Sequence, residues 1–483
     1  MIKNFKIYLR SLIFYPVLLI FVLIISIKFI LPKTDTYQNQ VESLVSDYMG
    51  YSIETEQVNI EWKSWTPNLS IVNARLFKHD FNNEIIKFDS IEVGINIAKS
   101  LTSMKITPSY ILVSGINLNI YRDIHGEISI DNNIDINSNE VNDETTLLKW
   151  LFAQNHLILK DINLSWTDTY LDKKRVDLNN VNLNFKIYEN NLIINLTGNL
   201  AKQENNKLII DANINKNHLT KKWDGEINIE MIDIDPTKLF NKLSVLNAAG
   251  VANTKLSTQW ENSKLINFSG NIGYSNFSLV SDKSEIFFKN INFDLDGNRK
   301  QQKNWLINLD LKNLETDNGI WPNKKYAFEI IKNPLNNNYQ LAANLPFLKL
   351  RDVLPLIITG DFISNEMLKK IDLNLLSGDI NDLNLKITLN ESNKIEIERI
   401  SAIFKKLDIA SFSGANSIAN LSGQLIAIKN SIDIDLDSNF TKLKYRNLYS
   451  EEKVIAKING NLSYNNDSKN ELLINNLDII YNE

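Results

Sequence analysis

Beyond residue 50 the chain alternates apolar and polar positions. Ile91, Val93, Ile95 and Ile97 are spaced by Glu92, Gly94 and Asn96, and Ile116, Leu118 and Ile120 by Asn117 and Asn119. The pattern recurs at Val181, Leu183, Phe185 and Ile187, at Ile227 and Ile229, and at Ile307, Leu309 and Leu311. It returns at Leu383, Leu385, Ile387 and Leu389, and at Ile432, Ile434 and Leu436. Successive side chains of a strand point to opposite faces, so each run predicts a strand with one apolar and one polar face. Asn-Asn, Asp-Gly and Gly-Asn pairs separate many of the runs and predict turns. Helical spacing is confined to 37–49, where Val41, Leu44, Val45 and Tyr48 precede the stop at Gly50, and to 145–155, 236–246, 350–358 and 365–370.

Parallel βαβ folds need a helix at nearly every crossover, and those helices are missing. The pattern predicts a mainly β fold, a long, curled, mostly antiparallel sheet with a few short helices. One apolar face must be covered by a second sheet or curl into an elongated trough that holds something apolar. About 25–30 strands spaced ~4.8 Å apart would make a sheet on the order of 120–140 Å long.

The first 33 residues follow a different rule. A charge-free run over 11–27, extended past Lys28 to Leu31, carries Leu12, Leu19, Phe21, Leu23, Ile27 and Leu31. About 20 such residues span a bilayer as a helix. Lys3, Lys6 and Arg10 precede it and place the N-terminus in the cytoplasm. No small-residue cleavage motif follows, which favours an uncleaved anchor over a signal peptide. The expected organisation is a tail and anchor over 1–33, a short helix and first β units over 34–130, an acidic Asn-rich loop over 131–146, and an extended β body over 147–483.

Composition removes several functions. The formal net charge of −5, without a basic stripe, argues against nucleic-acid binding. The absence of cysteine removes disulfides, thiolate metal sites and cysteine nucleophiles. His79, His125, His156 and His218 share no metal-ligand spacing. Gly270 and Gly273 do not form a phosphate loop, and no nucleophile elbow or zinc-protease motif occurs. The acidic pairs Asp233/Asp235 and Asp433/Asp435 suit the wet face of a strand. Asn is abundant, a bias to which we assign no function at this level. The expectation is a non-enzyme without cofactor or metal.

Several stretches together resemble one family. They are the anchor, the helix ending at Met49 and Gly50, and the segment holding Ile60, Trp62, Pro67, Leu69 and Ile71. They continue with Trp150 to Phe152, Leu159 to Trp166, Leu345 to Leu348 with Leu354 and Pro355, and Leu421 to Leu425. In this order the chain resembles the AsmA-like proteins of Gram-negative envelopes, most closely the long YhdP type. Members of that type are longer, and the strand-like run at 476–483 gives the expectation of an N-terminal portion.

The resemblance implies a bridge-like lipid-transfer protein, anchored in the inner membrane with its bulk in the periplasm. It would shield phospholipid acyl chains in a hydrophobic β-groove between inner and outer membranes. Its partners would be membrane phospholipid, the inner membrane and envelope proteins. The expected lining is Ile116, Leu118, Ile120, Leu183, Phe185, Ile187, Leu383, Leu385 and Ile387. The pattern alone leaves a dry core between two sheets equally open. The alternative function is an envelope scaffold that binds proteins through sheet edges.

Overall fold

The computed structural model describes residues 52–63, 66–77, 84–105, 107–125, 128–130, 155–169, 174–203, 205–217, 222–236, 248–280, 285–300, 304–333, 338–359, 375–389, 395–411, 416–445, 452–465 and 471–481, with isolated residues at 22, 38, 39, 42, 43 and 220. The expected anchor over 11–31 lies outside the described residues apart from Val22, as does the loop over 131–146. Among the described residues no helix is long and apolar enough to cross a membrane. Residues 38, 39, 42 and 43 are helical, within the helix expected over 37–49. The helices expected over 145–155, 236–246 and 365–370 fall almost wholly outside the description. Contacts divide the chain into two units, residues 1–221 and 222–483.

The first unit holds β1 (Ser52–Glu54), β2 (Gln57–Lys63), β3 (Thr66–Phe77), β4 (Glu84–Ile95), β5 (Pro108–Ser114), β6 (Asn117–Arg122), β7 (Ile128–Ile130), β8 (His156–Asp168), β9 (Lys174–Tyr188), β10 (Asn191–Leu200) and β11 (Lys207–Lys216). Both β1 and β2 pair with β3, which pairs with β4, and β4 with β5, all antiparallel. Then the order changes. β5 and β6, broken apart at Gly115 and Ile116, both run parallel to β8. A parallel neighbour needs a long return, and residues 123–155 supply it. Antiparallel pairing resumes through β9, β10 and β11.

Helix α1 (Ile97–Ser103) corrects the sequence reading, which ran the strand alternation through Ile97. The strand stops at Ile95 because Asn96 caps the helix. Its Oδ1 accepts the Lys99 backbone N–H at 3.0 Å, satisfying one of the orphan donors of a first turn.

The second unit is antiparallel throughout its described pairings. It holds β12 (Trp223–Ile234), β13 (Ala248–Glu261), β14 (Lys264–Val280), β15 (Glu285–Lys300), β16 (Asn304–Thr316), β17 (Gly319–Ile320), β18 (Lys325–Lys332) and β19 (Tyr339–Lys349). Helix α2 (Leu350–Thr359), expected from sequence, follows. Then come β20 (Ser377–Leu389), β21 (Ile395–Ala410), β22 (Asn416–Ile428), β23 (Ser431–Tyr445), β24 (Lys453–Asn465) and β25 (Glu471–Tyr481). The short β17 pairs with the end of β16, and every other strand pairs with the next long one.

Many strands are too long to be one straight segment, and a residue in the left-handed region interrupts them. Asn73, Asp161, Asn180, Asp233, Asn276, Asp382, Lys406, Asn420 and Phe440 have φ between 50° and 60° inside β3, β8, β9, β12, β14, β20, β21, β22 and β23. Asn and Asp tolerate this conformation better than most residues. At most of these sites the pairing register slips, the mark of a β-bulge that bends a strand. Each bulge also flips the parity of the apolar positions. Leu157 and Leu159 become Ile162 and Leu164 across Asp161, Val176 and Leu178 become Val181 and Leu183 across Asn180, and Phe404 becomes Leu407 across Lys406. The extra residue absorbs the slip, so both segments keep their apolar side chains on one face. Asn179 and Asn180 therefore do not end a strand, although the pair reads as a turn.

Candidate functional site

Pairing brings the apolar positions of neighbouring strands into rows. In the first unit one row runs Val58, Ile71, Ile91, Val113, Leu159, Leu183, Leu196 and Ile210. The next runs Ile60, Leu69, Val93, Ile111, Leu157, Phe185, Ile194 and Ala212. In the second unit a row passes through Ile227, Thr258, Phe268, Gly297, Ile307, Phe328, Ala343, Leu385, Ile400, Ala427, Ile432, Tyr464 and Leu472, one residue per strand. Its glycine has a packing reason. A Cβ on Gly297 would stand 2.2 Å from Cζ of Phe268, so the ring lies over the bare backbone.

Burial varies along the apolar face of each unit. Near the bulges it is closed: Ile162, Val181, Ile234, Ala252 and Thr441 are all but inaccessible. Away from them large aliphatic side chains remain half-buried, among them Ile229, Leu256, Ile307, Leu341, Ile400 and Ile434.

The nine expected lining residues divide between the units. Ile116, Leu118 and Phe185 are buried, while Ile120, Leu183 and Ile187 are half-buried. Leu118 faces Leu164 and Ile120 faces Trp166 on β8, beyond the bulge from the rows above. In the second unit Leu383, Leu385 and Ile387 are half-buried and face Leu345, Ala343 and Leu341. Alternation marked these residues. It could not show which strands flank them, so Val113, Leu159, Ile307 and Phe328, which stand in the same rows, were not singled out.

Helix α2 packs on the apolar face of the second unit, where Val353 joins Phe288, Leu311, Leu314, Trp321, Tyr326 and Phe347. A polar hook holds it. The buried Asp352 carboxylate accepts Trp321 Nε1–H at 2.7 Å, Thr316 Oγ1–H at 3.0 Å and Asn318 Nδ2–H at 2.6 Å. Buried carboxylates are tolerated when so satisfied. Burial pushes the Tyr326 hydroxyl up to about 12, and that hydroxyl donates to the Phe347 carbonyl at 2.9 Å.

In each unit the opposite face is polar and cross-linked. Asn195 donates to Asp211, Asn308 to Asp296, Asn344 to Asn384, Asn461 to Asp435 and Ser463 to Asp433, at 2.5–2.9 Å. The Asp433/Asp435 pair is thus part of a hydrogen-bonded wet face. On the first unit, burial raises the Glu92 carboxyl, and hydrogen bonds from Lys63 and Tyr110 outweigh this and hold it below the usual range. Burial and the bond to Glu92 push Tyr110 up to about 12. His156 lies on this side, 3.1 Å from Asn184 Oδ1.

No curated protein and no solved structure matches the chain. The family comparison does: residues 1–482 match the family model described as YhdP protein. With a model that spans all but the last residue, the chain belongs to the YhdP family.

Proposed function

We propose that the chain is an inner-membrane-anchored, periplasmic lipid-transfer protein that shields phospholipid acyl chains on its apolar sheet face between the inner and outer membranes. The observation that carries this reading is the half-burial of Leu183, Leu383, Leu385 and Ile387 on a face that is apolar from strand to strand. A dry two-sheet core would bury such side chains fully. Acyl chains gain about 0.8 kcal/mol per methylene removed from water. Rows without directional polar contacts let a chain slide from strand to strand. The reading needs no catalytic residue and no cofactor. Membership of the YhdP family supports it.

The test is photocrosslinking in intact cells with a photoreactive residue at Leu383, Leu385 or Ile387, and at the intervening Asn384 or Lys386. Phospholipid adducts at the first three positions alone are the expected result. A folded protein with adducts at none of the five would sink lipid transfer and favour a protein-binding scaffold. A reporter enzyme fused after residue 130 tests the topology, and should be active only in the periplasm.

A further inference from the structure

An arginine stands on the apolar face of the second unit. In β15 the positions Leu295, Gly297 and Arg299 share that face, and Arg299 pairs across β16 with Trp305, which pairs with Ile330 of β18. Arg299 is half-buried, and its Nε is sealed from solvent without a hydrogen-bond partner. Among the described residues its guanidinium makes no ion pair. The cross-strand register puts no Asp or Glu on this face in β14, β15, β16, β18 or β19.

The surroundings are those of an interface. Trp305 packs on Phe268 with ring centroids 5.5 Å apart, and Trp223 packs on Trp260 at 5.1 Å. Two strands from Arg299, Lys332 stands 5.5 Å over the Tyr339 ring. These residues occupy the strand ends remote from α2, so one margin of the second unit's apolar face is aromatic and basic. Trp and Tyr with flanking cations favour the level of lipid headgroups. Holding a guanidinium partly desolvated and unpaired is costly, and a protein gains from it when a ligand completes the pair. The planar fork of N–H donors matches phosphate oxygens.

We infer that Arg299 binds the phosphate of a phospholipid headgroup at this margin, with the acyl chains lying inward over Ile307, Leu309 and Phe328. This rests on the lipid reading above and adds a contact that selects phosphate-bearing lipids. Binding is read by native mass spectrometry of the full chain in detergent. The probes are phosphatidylglycerol, diacylglycerol with the same acyl chains, and inorganic phosphate. Arg299→Gln should weaken phosphatidylglycerol binding about tenfold or more, the scale of a lost charged hydrogen bond, and leave diacylglycerol binding unchanged. Arg299→Lys should recover part of the loss. Arg299→Leu should lose the same preference without a lower melting temperature, because it removes an unpaired charge.

Equal binding of both lipids by the parent, unchanged in Arg299→Gln, overturns the Arg299 assignment and leaves lipid transfer standing. Inorganic phosphate competing as well as phosphatidylglycerol at equal concentration makes this a free-phosphate site and overturns the headgroup. A melting temperature that falls in Arg299→Leu assigns the residue to folding. No binding of either lipid overturns the inference together with the lipid reading.

Discussion

Replacing Leu385 with Asp separates an open apolar face from a packed interior. Leu385 is half-buried between Ala343 and Ile400, whereas Ile234, in the same unit, is 0% exposed. Fully burying such a side chain contributes about 1.5–3 kcal/mol, so half-burial puts the loss at Leu385 near ~1 kcal/mol. The new carboxylate stays within reach of water and adds little. Ile234→Asp loses the whole burial term and strands a charge among apolar neighbours, a mechanism that costs about 4 kcal/mol or more. Urea unfolding followed by the fluorescence of Trp223, Trp260, Trp305 and Trp321 reads both. The midpoint of Leu385→Asp should fall by about a quarter as much as that of Ile234→Asp. Phospholipid should purify with the parent and be lost from this variant. Equal destabilisation by the two substitutions would show a dry core at Leu385 and refute the open face.

Four further outcomes follow from the geometry. Asp352→Ala leaves the buried Trp321 Nε1–H without its acceptor and takes a partner from Thr316 and Asn318, and should cost about 3 kcal/mol, with amide exchange over 350–359 accelerating more than in β18; Asp352→Asn should restore part. Gly297→Ala forces the Phe268 ring aside at a cost of about 1–3 kcal/mol, and a double-mutant cycle with Phe268→Leu should show the two changes offsetting each other. Asn180→Val should cost about 1–2 kcal/mol because a β-branched residue resists positive φ, whereas Asn180→Gly should be near neutral in thermal unfolding. Glu398 is held down to about 2 by hydrogen bonds from Thr388, Lys386 and Gln340. A depressed carboxyl stabilises the fold above its unfolded value of about 4.5 and loses that contribution as pH falls toward 2, so Glu398→Gln should flatten the melting temperature across that window.

The strands were legible because burial on one face imposes alternation that no other element shares. Ile307, Leu309 and Leu311 lie in β16, and Ile432, Ile434 and Leu436 in β23, as their spacing predicts. What alternation hides is continuity. Across Asp161, Asn180 and Lys406 the apolar parity changes, and in one dimension a parity change looks like the end of a strand. The parallel join of β5 and β6 to β8 was also hidden, since nothing local to either strand records its partner. Helix α1 was missed because Ile97 continues the strand spacing by chance while the deciding residue is the cap, Asn96. Arg299 reads as an ordinary surface charge until the register with Trp305 fixes its face.

Some of the asparagines, assigned no role from composition, have a place in the same geometry. A long amphipathic strand must bend to follow its neighbours, and each bend needs one residue that accepts positive φ without turning an apolar side chain outward. Asn73, Asn180, Asn276 and Asn420 do this inside strands, and other asparagines bridge strands on the polar face. The residue that marks a turn in a short hairpin therefore extends a strand here. This also accounts for a repetition without a sequence period. What recurs is one apolar residue per strand at each level of the sheet, and bulges and loops of unequal length adjust the count between levels. A face built in this way can lengthen by any number of strands while its rows stay in phase, which is the property that carriage of an acyl chain from strand to strand requires.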